Sequence, residues 1–171
     1  MLLGKRHISA RPAAIEARKK FGHWEGDTVI GSDRHNCILT LVVRKTGLSI
    51  IKKLNARTSA EVNKALLEIL AERSEQFKTI TFDNGTEFHG YAEIERCFPS
   101  VICYFATPYH SWERGSNENL NGLIRQYIPK GENIFWINQA RCDHIAKELN
   151  SRPRKRLHYQ TPQEVFNAEK F

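Results

Sequence analysis

Cysteine is scarce and poorly placed for metal or cross-link chemistry. Four occur in 171 residues, Cys37, Cys97, Cys103 and Cys142, and no two form a CxxC pair. That excludes a zinc ribbon and leaves no disulfide framework, so they read as reduced core thiols. The seven histidines show no HxxxH or His/Cys ligand spacing either. No apolar run approaches the ~20 residues of a membrane span, and the opening MLLGKRHISARP lacks the apolar stretch of an export signal. Repeats, low-complexity tracts and Gly/Ser linkers are absent. The expectation is one soluble, cytoplasmic domain over residues 22–171 behind a basic lead-in over residues 1–21.

What is present supports a packed fold. Apolar residues make up 40% and charged residues 26%, a balance unlike that of disordered or fibrous chains. A chain of this length buries roughly 70% of its unfolded surface. The net charge of +7 is uneven: residues 1–22 carry +5, residues 23–122 carry −2 and residues 123–171 carry +4. A general basic surface would account for this. So would a polyanion-binding protein whose central carboxylates hold divalent metal, because bound cations let acids sit beside phosphates.

Three short β-branched runs, DTVIG (27–31), NCILTLVV (36–43) and GLSIIKKL (47–54), read as consecutive antiparallel strands. Thr58 and Ser59 offer an N-cap for a helix to about Gln76, with Leu66, Leu67, Ile69 and Leu70 as its apolar residues. KTITFD (78–83) is a strand ending at an Asn84-Gly85 turn, 87–97 a short helix, and VICYFA (101–106) another strand. Residues 113–128 read as a helix with Leu120, Leu123, Ile124 and Tyr127 in one stripe; a last helix covers 137–149. This order suits an α/β fold, a mixed five-stranded sheet flanked by helices. Trp24 is expected in its core.

Among the acids, Asp27 lies in the first strand and Asp83 at the end of the fourth, an edge where ligand sites gather. Glu118, Asn121 and Arg125 share one polar helix face. Two aspartates and a glutamate are hard oxygen ligands suited to two Mg²⁺ or Mn²⁺ ions, a pairing that serves phosphoryl transfer. Spacing alone leaves Glu25, Glu87 and Glu113 as competitors, and all of these acids equally as solvated or N-capping residues.

GHWEGDTVIG (22–31), TFDNGTEF (81–88), PYHSWERGSNENLNGLIRQYIPKG (108–131) and LNSRPRKRLHYQTPQEVF (149–166) together resemble the catalytic core of bacterial DDE transposases. They are most similar to the insertion sequence thirty family, itself similar to retroviral integrase cores. The resemblance runs from Arg6 to Phe166, although 131–138 fits it poorly. It implies an RNase H-like fold and an acidic triad of Asp27, Asp83 and Glu118, with 34 residues between the last two, and it sets aside Glu25, Glu87 and Glu113. It further implies two Mg²⁺ (or Mn²⁺) ions, the first aspartate bridging both. Water and then a freed 3′-hydroxyl would attack phosphodiesters in line, without a covalent protein intermediate. DNA ends and target DNA would be the partners, in a synaptic homo-oligomer, with no membrane, in the bacterial cytoplasm at the nucleoid. The family's upstream helix-turn-helix domains have no counterpart here, since nothing before Gly22 is long enough to hold one.

Around the triad, Arg125, Asn117, Asn121 and Lys130 are candidate DNA contacts. Asn117 and Asn121 are alternatively residues that orient Glu118. Asn84 and Gly85 are expected to form the turn that aims Asp83. Tyr109 and Trp112 read as packed anchors before the catalytic helix. Arg154, Lys155 and Arg156, with Arg152, form a basic cluster broken by Pro153 that suits a phosphate-tracking strip. A nuclease of the same fold and a non-catalytic DNA-binding remnant are the alternative readings.

Overall fold

The computed structural model describes residues 4–169; residues 1–3 of the lead-in and 170–171 lie outside them. Helix α1 (Ala13–Glu16) precedes strand β1 (His23–Ile30), followed by β2 (Cys37–Val43), β3 (Ser49–Leu54), α2 (Ser59–Arg73), β4 (Thr79–Phe82), α3 (Tyr91–Cys97) and β5 (Ile102–Phe105). Helices α4 (Gly115–Ile124), α5 (Gln139–Asn150) and α6 (Pro162–Asn167) complete the chain. The sheet order is β3-β2-β1-β4-β5. β1 pairs antiparallel with β2, and β2 with β3; β1 pairs parallel with β4, and β4 with β5. The expected mixed five-stranded α/β sheet is therefore present.

The strand sequences explain the layering. CILTLVV is buried at all seven positions, as a strand covered on both faces must be. Its odd members, Cys37, Leu39, Leu41 and Val43, join Trp24, Ile80 and Phe82 against Val62, Leu66, Ile69 and Leu70 of α2 and Ile94 of α3. Its even members Ile38 and Val42 join Val29 and Ile51 against Leu120 and Ile124 of α4 and Ile145 and Leu149 of α5. Trp24 stacks on Phe77 at 4.3 Å between centroids, and its Nε1–H donates to Gln76 O at 2.9 Å, so it is a core residue. Gly26 lies between these packed side chains; a methyl there would collide with the Phe82 ring.

Caps fix the helix starts. Thr58 accepts from the Glu61 amide, Asn138 from the Arg141 amide, and Thr161 and Glu164 form a reciprocal capping box with Pro162 in the first turn of α6.

Several boundaries differ from expectation. β1 begins at His23, four residues early, because Trp24, Glu25 and Gly26 ladder onto Val43, Val42 and Leu41. Residues 86–88 form a 3-10 turn and the helix proper starts at Tyr91. The predicted 113–128 helix divides: Ser111–Arg114 is a 3-10 turn, and α4 ends at Ile124, with turn hydrogen bonds to Ile128. Pro129 contributes to the early stop, since it has no N–H to donate to the Arg125 carbonyl four residues back. Cys37, Cys103 and Cys142 are buried, but Cys97 is exposed at the end of α3, so the four are not uniformly core thiols.

The described part of the lead-in packs against the sheet. His7 bridges Phe105 in parallel, Lys5 Nζ lies 4.3 Å from the Phe105 ring centroid, and Arg11 donates to Thr81 Oγ1 at 3.0 Å. Among the described residues no helix is long and apolar enough to cross a membrane.

His23 is buried beside Thr79, with Nδ1 2.9 Å from Oγ1. Burial, reinforced by the charges of Lys78, Arg11, Arg44 and Lys20, lowers its pKa from 6.5 to about 4. Below pH 6.5 the unfolded chain takes up a proton that the folded chain refuses. Stability is therefore full above that pH and falls as the pH drops toward 4. Urea unfolding across this window should show the decline, and His23→Gln should flatten it; an unchanged slope would refute the assignment.

Candidate active site

Alternation along β1 puts Glu25, Asp27 and Val29 on the face that α4 covers. Glu25 is completely buried. It pairs with Arg44, and its Oε2 accepts the Asn117 backbone N–H of α4 at 2.9 Å. Arg44 also reaches Glu16 at 3.2 Å, and Glu16 pairs with Arg11. This network, buried at Glu25 and Arg44 and open to solvent at Glu16, ties α1, β1 and α4 together.

Two residues further along, Asp27 accepts Asn121 Nδ2–H at 3.0 Å and the Thr28 N–H at 2.9 Å. Asp83 leaves β4 and accepts the Gly85 N–H at 2.8 Å, while Asn84 Nδ2 donates to Ala106 O. The Asn84-Gly85 turn thus sets the direction of Asp83, as the sequence suggests. Between the two carboxylates lies Arg114, with Nη1 3.4 Å from Asp27 Oδ2 and Nη2 3.7 Å from Asp83 Oδ2. Burial raises the Asp27 pKa above its usual value, and the charge of Asp83 adds to the rise; Arg114, the Thr28 amide and Asn121 oppose it. Two half-buried acids facing one guanidinium form an environment that favours a cation. A cleft of about 420 Å³ opens beside Asp83, lined by Arg114 and the 106–111 loop.

Glu118 lies in the first turn of α4, exposed, on the face that also carries Asn121. Among the described residues no three His, Cys, Asp or Glu side chains are gathered closely enough to hold a metal ion. The structure thus joins Asp27 and Asp83 through Arg114 and leaves Glu118 apart. Its two aspartates supply hard oxygen donors already facing one cationic group, which fits a divalent ion such as Mg²⁺ or Mn²⁺.

The competing acids have other partners. Besides Glu25, Glu87 is buried, accepting Thr28 Oγ1–H at 2.8 Å and Arg57 Nε–H at 2.9 Å. Glu113 accepts the Thr107 N–H at 2.7 Å and hydroxyl at 2.9 Å, pinning the loop before α4. Sequence reasoning missed Arg114, Arg44 and Arg57. Arg114 sits in a stretch expected to be helical, and a helical register gives no sign that its side chain turns toward the strand ends.

The candidate DNA contacts scatter. Asn117 is buried, 1% exposed, with neither side-chain polar atom hydrogen-bonded to protein; under α4 it is out of reach of a phosphate, a correction that follows from its place on the core side of the helix. Asn121 orients Asp27 rather than Glu118. Arg125 is half-buried, 3.4 Å from Ile30 O, and Lys130 is exposed beyond Pro129. Arg152 donates to Tyr127 Oη at 2.7 Å, Arg154 to Leu149 O at 2.9 Å and Arg156 to Lys45 O at 2.9 Å; Lys155 is exposed. Tyr109 and Trp112 are not packed anchors. They are 100% and 66% exposed, Trp112 stacks on His110 at 4.4 Å, and the pinned loop turns both outward.

Comparison with known proteins finds transposases among the relatives of this chain. The chain is 44% identical over 163 residues to the transposase for insertion sequence element IS4351 of Bacteroides fragilis, covering 95% of this chain and 50% of that protein. It is 42% identical over 160 residues to the transposase InsI for insertion sequence element IS30A of Escherichia coli (strain K12), covering 93% and 41%. The chain therefore spans about half the length, or less, of these curated relatives. No profile of a known protein family matches it. Among solved structures, the catalytic core of BIV integrase superposes with a TM-score of 0.64 at 18% identity, covering 86% of this chain and 95% of that one. A chain of the simian T-cell lymphotropic virus intasome superposes at 0.71 and 16% identity, covering 87% and 55%. At such identities the likeness is one of fold, the RNase H-like fold of integrase cores.

Glu25→Ala would leave Arg44 buried without its main partner and release the α4 backbone. Removing one member of a buried pair costs about 3–5 kcal/mol. Urea unfolding should show a loss of that size; a loss under about 1 kcal/mol would contradict the role given to Glu25.

Proposed function

From the likeness of this chain to transposases of insertion sequence elements over about half of their length or less, we propose that it belongs to the insertion sequence thirty family and is a DNA transposase catalytic core. It cleaves phosphodiesters at element ends and then joins the freed 3′ end to target DNA. The observation that carries the reading is the meeting of Asp27 and Asp83 on one guanidinium.

In this reading Asp27 and Asp83 would hold divalent metal, Mg²⁺ or Mn²⁺, and Glu118, which stands apart from them in the structure, would join the set from α4. Two such ions, if bound there, would supply activation of the attacking oxygen and stabilisation of the leaving one. The residues of the chain do the positioning. Asn121 and the Thr28 amide fix Asp27, Gly85 fixes Asp83, and the Glu25 network sets the height of α4 over the sheet. Arg114 is beside the reacting position, where its guanidinium pairs a phosphate oxygen of the strand. In the first step water adds to phosphorus and the 3′ oxygen leaves as a hydroxyl; in the second that hydroxyl adds to a target phosphodiester and the target's own 3′ oxygen leaves. Neither step needs a covalent bond to the protein.

Arg125, Lys130 and the 152–156 cluster contribute phosphate contacts. The core is taken as residues 22–171 and acts as a homo-oligomer on DNA at the bacterial nucleoid.

A branched DNA mimicking the joined product tests this without requiring recognition of an element end. With Mn²⁺ the wild type should rejoin it, and Asp83→Asn should show no detectable rejoining while its thermal midpoint and DNA affinity stay nearly unchanged. Rejoining by Asp83→Asn at the wild-type rate would refute the assignment. Cutting without joining by the wild type would favour a structure-selective nuclease instead.

A further inference from the structure

On the flank of α4 away from Glu118 lies a cavity of about 380 Å³ into which Arg18, Arg154, Lys155 and Arg156 converge. No acid lines it. Among the described residues none of the four takes part in an ion pair. Gly115 and Ser116, the first turn of α4, form part of its wall, so the positive end of that helix dipole adds to the field.

Two of the four cationic groups are held in place. Arg154 and Arg156 are each tethered by one nitrogen to a backbone carbonyl, Leu149 O and Lys45 O, at 2.9 Å. Burial holds both below the usual arginine pKa, and like charge adds to it: Arg152 and Arg156 act on Arg154, and Arg18 acts on Arg156. Arg18 itself sits in the left-handed region, φ 53°, a conformation uncommon for a non-glycine residue. Convergent like charges without a counter-charge are unfavourable unless an anion joins them. Guanidinium forks match phosphate oxygens in pairs.

The position on α4 says which phosphate. Gly115, Ser116 and Asn119 face this cavity, whereas Glu118, Asn121 and Arg125 lie on the other side of the same helix. A helix is about 10 Å across, and a DNA strand advances about 3.4 Å per nucleotide. A strand crossing α4 would therefore bring a phosphate here a few nucleotides from the reacting one. We propose that Arg18, Arg154, Lys155 and Arg156 form a phosphate site that grips the DNA backbone across α4 from the carboxylates. This rests on the reading of the chain as one that acts on DNA.

Fluorescence anisotropy of a labelled duplex over a salt series tests it. The variant Arg18→Gln/Lys155→Gln leaves the two tethering hydrogen bonds intact. Its control, Lys64→Gln/Arg96→Gln, removes equal charge from exposed positions on α2 and α3. The first should bind about tenfold more weakly at moderate salt, and its log K against log[salt] slope should be shallower by about one, the effect of one lost phosphate contact. The control should match the wild type, and all three should share one thermal midpoint. Equal slopes and affinities for the two variants would overturn the proposal. A midpoint raised by inorganic phosphate in the wild type alone, with DNA binding unaffected by the variant, would overturn it in favour of a free anion. Failure of the wild type to bind the duplex would overturn the DNA reading and this site with it.

Discussion

The carboxylate of Glu25 has no contact with solvent, and its two oxygens are divided between a guanidinium and a backbone amide. One meets Arg44; the other takes the N–H of Asn117 in the first turns of α4. That second bond sets how far along the sheet α4 sits, because a helix anchored at one turn and packed through Leu120 and Ile124 has little freedom to slide. Asn121, one turn further on, then meets Asp27. Glu25 thus registers the helix that carries Glu118 against the strand that carries Asp27. Its burial is acceptable because Arg44, itself shared with Glu16, answers the charge.

Sheet topology supplies the second constraint. β1 is the strand at which pairing changes from antiparallel, toward β2, to parallel, toward β4. Parallel pairing sends β1 and β4 in one direction, so Asp27 in the longer strand and Asp83 just past the shorter one arrive near each other. Two carboxylates brought together in a half-buried place repel. Arg114 reaches the Oδ2 of each, Asn121 donates to the same oxygen of Asp27, and the Thr28 and Gly85 amides take the two Oδ1 atoms. Charge compensation at this point is what permits the site to exist in the folded chain.

Much of this was legible beforehand. The β-branched runs, the Asn84-Gly85 turn and the Leu120/Ile124 stripe are local or periodic signals, and the strands and the core face of α4 follow from them. Asp83 stood out because it ends a strand, where ligand sites gather, whereas Asp27 was set apart from Glu25 only by the resemblance to transposase cores. The partners of Glu25 and Glu87 did not stand out, since Arg44 lies in the turn after β2 and Arg57 in the β3–α2 connection, and no period links them. Arg114 was hidden by a helix expected to begin at 113. Tyr109 and Trp112 misled for a related reason. Aromatic residues near a site usually pack, but Glu113 bonds the loop to Thr107 and turns them outward. Local chemistry was readable, whereas long-range ion pairing was not.

The central claim is that Asp27 and Asp83 form one cation site. Electron paramagnetic resonance of free Mn²⁺ titrated with protein measures this directly, without DNA. The account predicts that the wild type removes Mn²⁺ from the free signal and that Asp27→Asn, equally folded by circular dichroism, largely fails to. Equal Mn²⁺ uptake by Asp27→Asn and the wild type, or none by either, would contradict it.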